Sequence, residues 1–178
     1  MAIAEARDPV ESIKSAFPDA FQDVVLFSDE TTIVVDPAQI VPIMRSLRDT
    51  PGLIYNYLSD ISPVDYYPDY SRPERFGICY HVYSMLYNRR LRVKAYLPEE
   101  EPVIESITSV WPAANWLERE AYDMMGIEFK NHPNLRRILN PIDWDGHPHR
   151  RDYPLSYETI QFSFNAEEIM QRKPFARE

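Results

Sequence analysis

The apolar positions of the chain change their period several times, and each change marks an element. Over residues 8–17, Val10, Ile13 and Phe17 share one helical face. Asp8 stands in the capping position, Pro9 in the first turn, Glu11 completes a capping-box arrangement, and Pro18 closes the helix. Residues 23–27 and 31–35 are apolar and β-branched on either side of Ser28-Asp29-Glu30, which predicts a hairpin. Asp36-Pro37-Ala38-Gln39 repeats the capping logic, and Ile40, Ile43, Met44 and Leu47 follow at helical spacing until Pro51-Gly52. Pro42, inside that run, either kinks the helix or marks its true first turn.

Residues 53–61 read as a strand, followed by an acidic and aromatic loop over 65–70. The clearest hairpin comes next. Phe76, Ile78, Tyr80, Val82 and Leu86 alternate with Gly77, Cys79, His81, Tyr83 and Tyr87. The chain turns near Asn88-Arg89 and returns through Leu91, Val93, Ala95 and Leu97, with Arg92 and Lys94 on the other side. Glu99-Glu100-Glu101-Pro102 then introduces a predicted helix with Val103, Ile104, Ile107 and Val110 on one side. A further helix is predicted over 113–125, its stripe made by Ala113, Trp116, Leu117, Ala121, Met124 and Met125. Asn115, Glu118, Arg119 and Asp123 fall mostly away from that stripe. Pro112 suits the first turn and Gly126 a left-handed stop, and Arg119 can pair with Asp123 across one turn.

Beyond Gly126 the regular period ends. Pro133, Pro141, Pro148 and Pro154 recur too often for a helix or a central strand, yet Ile127, Phe129, Leu135, Ile138, Leu139, Trp144 and Tyr153 keep the segment apolar. Two arginine pairs, Arg136–Arg137 and Arg150–Arg151, punctuate it. Such a chain cannot satisfy its own backbone groups in a ladder, so it must lie on its own domain, on a partner, or on both. Ile160, Phe162 and Phe164 then alternate as in a strand, and residues 166–178 have little to pack against and are expected to fray. The fold class that follows is α+β: a mainly antiparallel sheet flanked by helices, with a long extended C-terminal tail. The globular domain is assigned to residues 1–129 and the partner-binding tail to 130–178.

Composition sharpens this picture in a few places. The 178 residues suffice for one domain with a core and are too few for two ordinary ones. Net charge is −9, and it is uneven: residues 1–129 hold 11 Lys/Arg against 21 Asp/Glu, residues 130–178 hold 8 against 7. A nucleic-acid partner is therefore not expected for the domain. Cys79 is the single cysteine, so no intrachain disulfide or cysteine-held cluster can form. The first residues lack the apolar core of a signal peptide, and no run reaches the roughly 18 apolar residues of a membrane span. Any membrane association is expected to pass through partners.

Candidate chemistry is sparse. Four glycines leave no dinucleotide fingerprint and no phosphate loop, and there is no Cys-x-x-Cys pair. His132, His147 and His149 lie in one segment, but each abuts a proline, and ring N–H groups pinning loops to carbonyls is the favoured reading over a metal site. Glu118, Glu120 and Asp123 sit on one helix, and bonds from Glu118 or Glu120 to the downstream arginine pairs or backbone amides are favoured over an acid–base pair. The arginine pairs are read as bidentate carboxylate partners across an interface. A free-standing enzyme built from these histidines and the acidic helix is the competing reading.

One stretch carries a resemblance. Glu118-Arg119-Glu120, Asp123-Met124-Met125-Gly126-Ile127, His132-Pro133, Leu135-Arg136-Arg137-Ile138-Leu139, Asp143-Trp144, Gly146-His147-Pro148 and Arg150-Arg151-Asp152-Tyr153-Pro154 resemble one family. It is the C-type (thirty-kilodalton) subunit family of respiratory complex I, NADH:quinone oxidoreductase. His149 departs from the pattern, standing where the family usually has leucine. The resemblance implies a cofactor-free, non-catalytic peripheral-arm subunit of a proton-translocating NADH:quinone oxidoreductase. It would scaffold the large D-type (forty-nine-kilodalton) subunit during electron transfer from NADH to quinone. FMN and iron–sulfur clusters are then expected in partner subunits, and the location is the cytoplasmic face of the bacterial cell membrane, reached through partners. It further implies that Glu118, Arg119, Glu120, Asp123, Gly126, His132, Pro133, Arg136, Arg137, Trp144, His147, Arg150, Arg151, Asp152 and Tyr153 form the family signature and the subunit interface. None of them is expected to be catalytic or to hold a cofactor or metal. A C-type subunit of a related ferredoxin-, F420- or hydrogenase-linked membrane complex is the alternative.

Overall fold

The N-terminal helix and hairpin form where the sequence predicts them. In the computed structural model, which describes residues 4–69, 71, 74–155 and 166–172, helix α1 is Pro9–Ala16, and the Asp8 carboxylate accepts the Val10 N–H at 2.9 Å. Strands β1 (Phe21–Phe27) and β2 (Glu30–Val35) are joined by Ser28 and Asp29, both at positive φ (48° and 62°). That conformation matches the twist of a two-residue hairpin, and Phe27 faces Glu30 across it. Asp36 then caps a short 3₁₀ turn, Pro37–Gln39, which runs directly into α2, Ile40–Asp49. Pro42 falls in the first turn of α2, where a backbone N–H has no intrahelical partner to lose. The stripe of Ile40, Ile43, Met44 and Leu47 is fully buried.

Strand β3 is Tyr57–Asp65, four residues later than the predicted 53–61. Leu53 and Tyr55 are buried, but in a turn folded against α2, with the Tyr55 N–H bonded to the Leu47 carbonyl at 2.9 Å. The strand tolerates Pro63 because β3 lies at a sheet edge. Strands β4 (Phe76–Ser84) and β5 (Arg89–Leu97) form the expected hairpin, in register from Phe76 opposite Leu97 to Ser84 opposite Arg89. The five strands are ordered β1-β2-β5-β4-β3, and every neighbouring pair is antiparallel except β2–β5, which is parallel. The sheet is thus mixed, mostly antiparallel. Ile33, Phe76, Ile78, Tyr80 and Val93 on its inner face join the helices in one core. Cys79 is a buried thiol outside that core cluster.

The helix predicted from Val103, Ile104, Ile107 and Val110 does not form. Val103–Glu105 is instead strand β6, paired in parallel with β7, Glu128–Lys130, so that Ile104 meets Phe129. A short β-branched run behind Pro102 satisfies a strand as readily as one helical face, and the distant partner decides. Helix α3 is Ala114–Met125, and Gly126 ends it at φ 74°, donating its N–H to the Tyr122 carbonyl. Its faces differ from the predicted ones. Trp116 is 59% exposed, whereas Glu118, Arg119 and Asp123 are buried along with Ala114, Ala121 and Met125.

After β7 the chain turns back and lies on its own domain as far as Leu155. Residues 166–178 were expected to fray; Ala166–Arg172 is a short helix, α4, with an Arg172–Glu168 pair at 2.9 Å. The alternating Ile160, Phe162 and Phe164 lie outside the described residues. Among the described residues no helix is long and apolar enough to cross a membrane.

Candidate functional site

Helix α3 and the segment returning over it are organised around Asp123. Its side chain is fully buried, one turn before the glycine stop. Oδ2 accepts three consecutive backbone N–H groups, Ile138 at 2.9 Å, Leu139 at 2.7 Å and Asn140 at 2.9 Å. Oδ1 accepts the Arg137 guanidinium at 2.7 Å and the Asn140 amide at 3.0 Å. Burial alone would push this carboxyl up, but the Asn140 N–H, Arg137 and the Ile138 N–H outweigh it and hold it far below the usual carboxylate range. Arg137 also donates to the carbonyls of Trp144 and Gly146, both at 3.0 Å. One ion pair therefore fixes the backbone of residues 137–146 without any ladder.

Glu118, five residues earlier, has the opposite surroundings. Its oxygens accept the Ser106 hydroxyl at 2.6 Å and the Ile107 N–H at 2.7 Å. The nearest basic group is His132, whose Nε2 lies 3.9 Å from Oε2. That ring is neutral by its bonds: Nδ1 accepts the Asn134 N–H at 3.0 Å, so Nε2–H donates to the Asn115 carbonyl at 3.2 Å. Burial also lowers the His132 pKa. With no cation to offset it, burial pushes Glu118 up to about 7. The carboxylate ties α3 to the 106–108 turn upstream, not to the arginines downstream. Glu120 is exposed.

A third node joins the return segment to the sheet. Arg75, buried at the start of β4, grips Asp65 with two parallel bonds of 2.9 and 2.8 Å. The same guanidinium reaches Asp152 at 2.6 and 3.1 Å and Glu99 at 2.8 Å. Its hydrogen bonds to Asp65, and then those to Asp152 and Glu99, raise its pKa above the ordinary arginine value. Asp65 accepts the Arg151 N–H as well, at 2.9 Å. Arg150 lies over the Phe76 ring at 5.2 Å and donates Nε–H to the Met125 carbonyl at 2.8 Å.

The predicted site residues thus divide. Asp123, Gly126, His132, Arg137, His147 and Asp152 are tied into the domain; His147 Nδ1 meets the Asp123 carbonyl at 2.9 Å. The expected Arg119–Asp123 pair does not form, because Asp123 is spent on Arg137 and the downstream N–H groups. Arg119 instead donates to the carbonyls of Arg136 and Arg137 and stacks 5.2 Å from Trp116. Arg137 finds its carboxylate in its own chain. Pro133, Arg136 and Arg151 are exposed, Trp144 is half-buried, and the Tyr153 hydroxyl donates to the Asp145 carbonyl at 3.1 Å. Among the described residues, no three His, Cys, Asp or Glu side chains converge as metal ligands would. The sequence reading missed Arg75, Asp65 and Ser106; no local spacing links them to α3 or to Asp152, so no signal in the sequence pointed to them.

What this arrangement exposes is as informative as what it buries. Leu139 and Ile142 project from the rigid 137–146 turn, Ile142 at 94% exposure, and Leu155 stands fully exposed at the end of the return segment. The bonded backbone of this turn thus presents bare apolar side chains to solvent.

The chain matches known proteins over most of its length. The family model described as "Respiratory-chain NADH dehydrogenase, 30 Kd subunit" matches residues 33–159. The C subunit of the NADH-quinone oxidoreductase of Roseiflexus sp. (strain RS-1) is 42% identical over 169 residues, covering 95% of each chain. That of Citrifermentans bemidjiense is 45% identical over 153 residues, covering 86% of this chain and 92% of the relative. Among solved structures, a trypsin-resistant fragment of Nqo5 superposes with a TM-score of 0.62 at 31% identity, covering 72% of this chain and all of the fragment. An archaeal membrane-bound sulfane sulfur reductase shares the fold, with a TM-score of 0.65 at 20% identity. With the family model matching well over half of its length, the chain belongs to the thirty-kilodalton subunit family of respiratory-chain NADH dehydrogenase.

Proposed function

We propose that this chain is a structural subunit, without cofactor or active site of its own, in the peripheral arm of a proton-translocating NADH:quinone oxidoreductase. Its task is to hold the large D-type subunit in place while electrons pass from NADH to quinone through flavin and iron–sulfur groups in neighbouring subunits. The chain reaches the cytoplasmic face of the bacterial membrane through those neighbours. The observation that carries this reading is the turn clamped by Asp123, with Leu139 and Ile142 left bare on a backbone that is already fully bonded. A preorganised surface loses little entropy when a partner covers it. Residues 1–129 serve as the domain and 130–178 as the partner-binding part, of which the stretch through Asp152 also lies bonded on the domain. The names of the relatives favour NADH as donor over ferredoxin, F420 or hydrogen.

Removing residues 156–178, or replacing Ile142 by Glu, tests the proposal in the organism's own membranes. Both variants are expected to keep the thermal unfolding of the isolated chain, since Ile142 is exposed and the core cluster of the described residues is built between Ile13 and Phe129. Both should then lose the large subunit from a tagged purification. Normal assembly and quinone reduction by the two variants would overturn the reading.

A further inference from the structure

The exposed apolar side chains of the domain gather at a second place, far from the return segment. Leu26 and Phe27, at 74% and 76% exposure, form the tip of the β1–β2 hairpin. Met85 and Leu86, both exposed, form the β4–β5 turn, and the exposed Tyr57 opens β3. The registers place these positions at one end of the sheet. Phe27 faces Glu30, Thr32 faces Arg92 two residues further along both strands, Arg90 faces Tyr83, and Tyr83 faces Tyr57. The Arg75–Asp65–Asp152 node sits at the other end, where Asp65 faces Phe76 and Phe76 faces Leu97. Strand β4 separates the two ends by roughly 27 Å at about 3.3–3.4 Å per residue.

Beside this rim runs a groove of about 710 Å³, lined among others by Tyr57, Tyr83, His81, Asp60 and Arg90. Most of its charges are already satisfied. Glu30 pairs with Arg92, Asp60 accepts the Ser62 hydroxyl, and Arg89 donates to the Arg7 carbonyl. Arg90 is exposed and has no acceptor among the described residues. One unspent guanidinium amid Phe, Met, Leu and Tyr is the composition of a protein interface, and it asks for a carboxylate. In a two-fold contact of this patch with itself, Arg90 would have to meet one of the rim's own carboxylates, and Glu30 and Asp60 are already engaged. Glu30, Asp29 and Asp60 around the rim disfavour nucleic acid.

We infer that this end of the sheet, bearing Leu26, Phe27, Tyr57, Met85, Leu86 and Arg90, docks a second neighbouring protein subunit through an apolar segment carrying a carboxylate. The inference rests on the reading of the chain as part of a larger assembly and extends it: the subunit bridges two neighbours, one at each end of its sheet.

The test uses the assembled complex from the native membrane, purified through a tag on this chain. The double variant Leu26→Glu, Met85→Glu changes only exposed positions, and Arg90→Glu provides a single-site variant should the double one fail to fold. Each is expected to reduce one neighbouring subunit at least tenfold while keeping the subunit that is lost on removing residues 156–178. A full complement of neighbours in Arg90→Glu would overturn the inference, as would loss of that same tail-dependent subunit alone. If removing 156–178 changed nothing while Arg90→Glu still released a neighbour, the tail reading would fail and this one would stand. A photo-crosslinker at Phe27 in the intact complex should capture a peptide of a different subunit; capture of a second copy of this chain or of nucleic acid would overturn it.

Discussion

Glu118 is buried against neutral donors only, and its proton should therefore make stability depend on pH. An unfolded glutamate ionises near 4.5, whereas the folded group does so near 7. Below 4.5 both states hold the proton. As the pH rises from 4.5 to 7 the unfolded chain releases it and the folded chain does not, so stability falls, by an amount on the order of 3 kcal/mol, and levels off above 7. Glu118→Gln keeps an acceptor for the Ile107 N–H and can donate to Ser106. It should lack that slope and be the more stable protein at pH 8. Urea unfolding at pH 5 and 8 checks this, and equal slopes in the two proteins would refute it. Gly126 is the second residue to test. At φ 74° a side chain is strained, and a Cβ there would meet Arg150 Nη2 at 2.5 Å and His147 Cδ2 at 2.6 Å. Gly126→Val should cost more than the about 1–2 kcal/mol of backbone strain alone, because the segment holding His147 and Arg150 must also shift. Unchanged denaturant unfolding would contradict that. The two residues differ in how far they could be read from sequence. Gly126 ends its helix by a local rule, and the rule held. Whether Glu118 is buried depends on Ser106 and Ile107, twelve and eleven residues away across a turn, and no helical period contains that information.

Between elements, the contacts that matter most are those of the 147–153 segment with β3 and β4. Arg75 satisfies Asp65, Asp152 and Glu99 at once. Arg75→Gln leaves three carboxylates without a cation, one of them fully within the protein. Losing one partner of such a buried set costs about 3–5 kcal/mol in comparable cases. Here the release of residues 147–155 should limit the loss to less than that. Hydrogen exchange should report it as faster exchange at the Arg151 N–H, with the Ile138 to Asn140 N–H groups on Asp123 still protected. Uniform loss of protection would mean that the two nodes are one unit. Element prediction succeeded where pairing is local, as in β4–β5, joined by a short turn. It failed at β6, whose partner β7 comes more than twenty residues later, after α3. Residues 103–110 carry an apolar spacing that serves either structure, and nothing within them says which.

For the molecule as a whole, the sequence made the α+β class legible, because strand and helix periods alternate cleanly through residue 97. It could not show that the irregular segment after Gly126 lies on its own domain through Leu155, since that depends on ion pairs between distant positions, Arg75 and Asp152 at 77 residues apart among them. Limited trypsin digestion of the isolated chain follows from this. The bonds after Arg136, Arg137, Arg150 and Arg151 should resist, because their backbone is held by Asp123 and Asp65, while the bond after the exposed Arg172 is cut first. Early cleavage after Arg137 would mean that the return segment opens in solution. The parallel pairing of β2 with β5 has one more consequence, for the newly made chain. The hairpin that leaves the ribosome first cannot take its place in the sheet until roughly sixty more residues, through Leu97, have followed, and at about 5–20 residues per second that is a wait of roughly 3–12 s. Through that interval Ile33, Val34 and Val35, buried in the finished sheet, stand on a two-stranded ribbon too small to persist alone, so this hairpin is the part of the nascent chain for which a chaperone on the ribosome has the most to do.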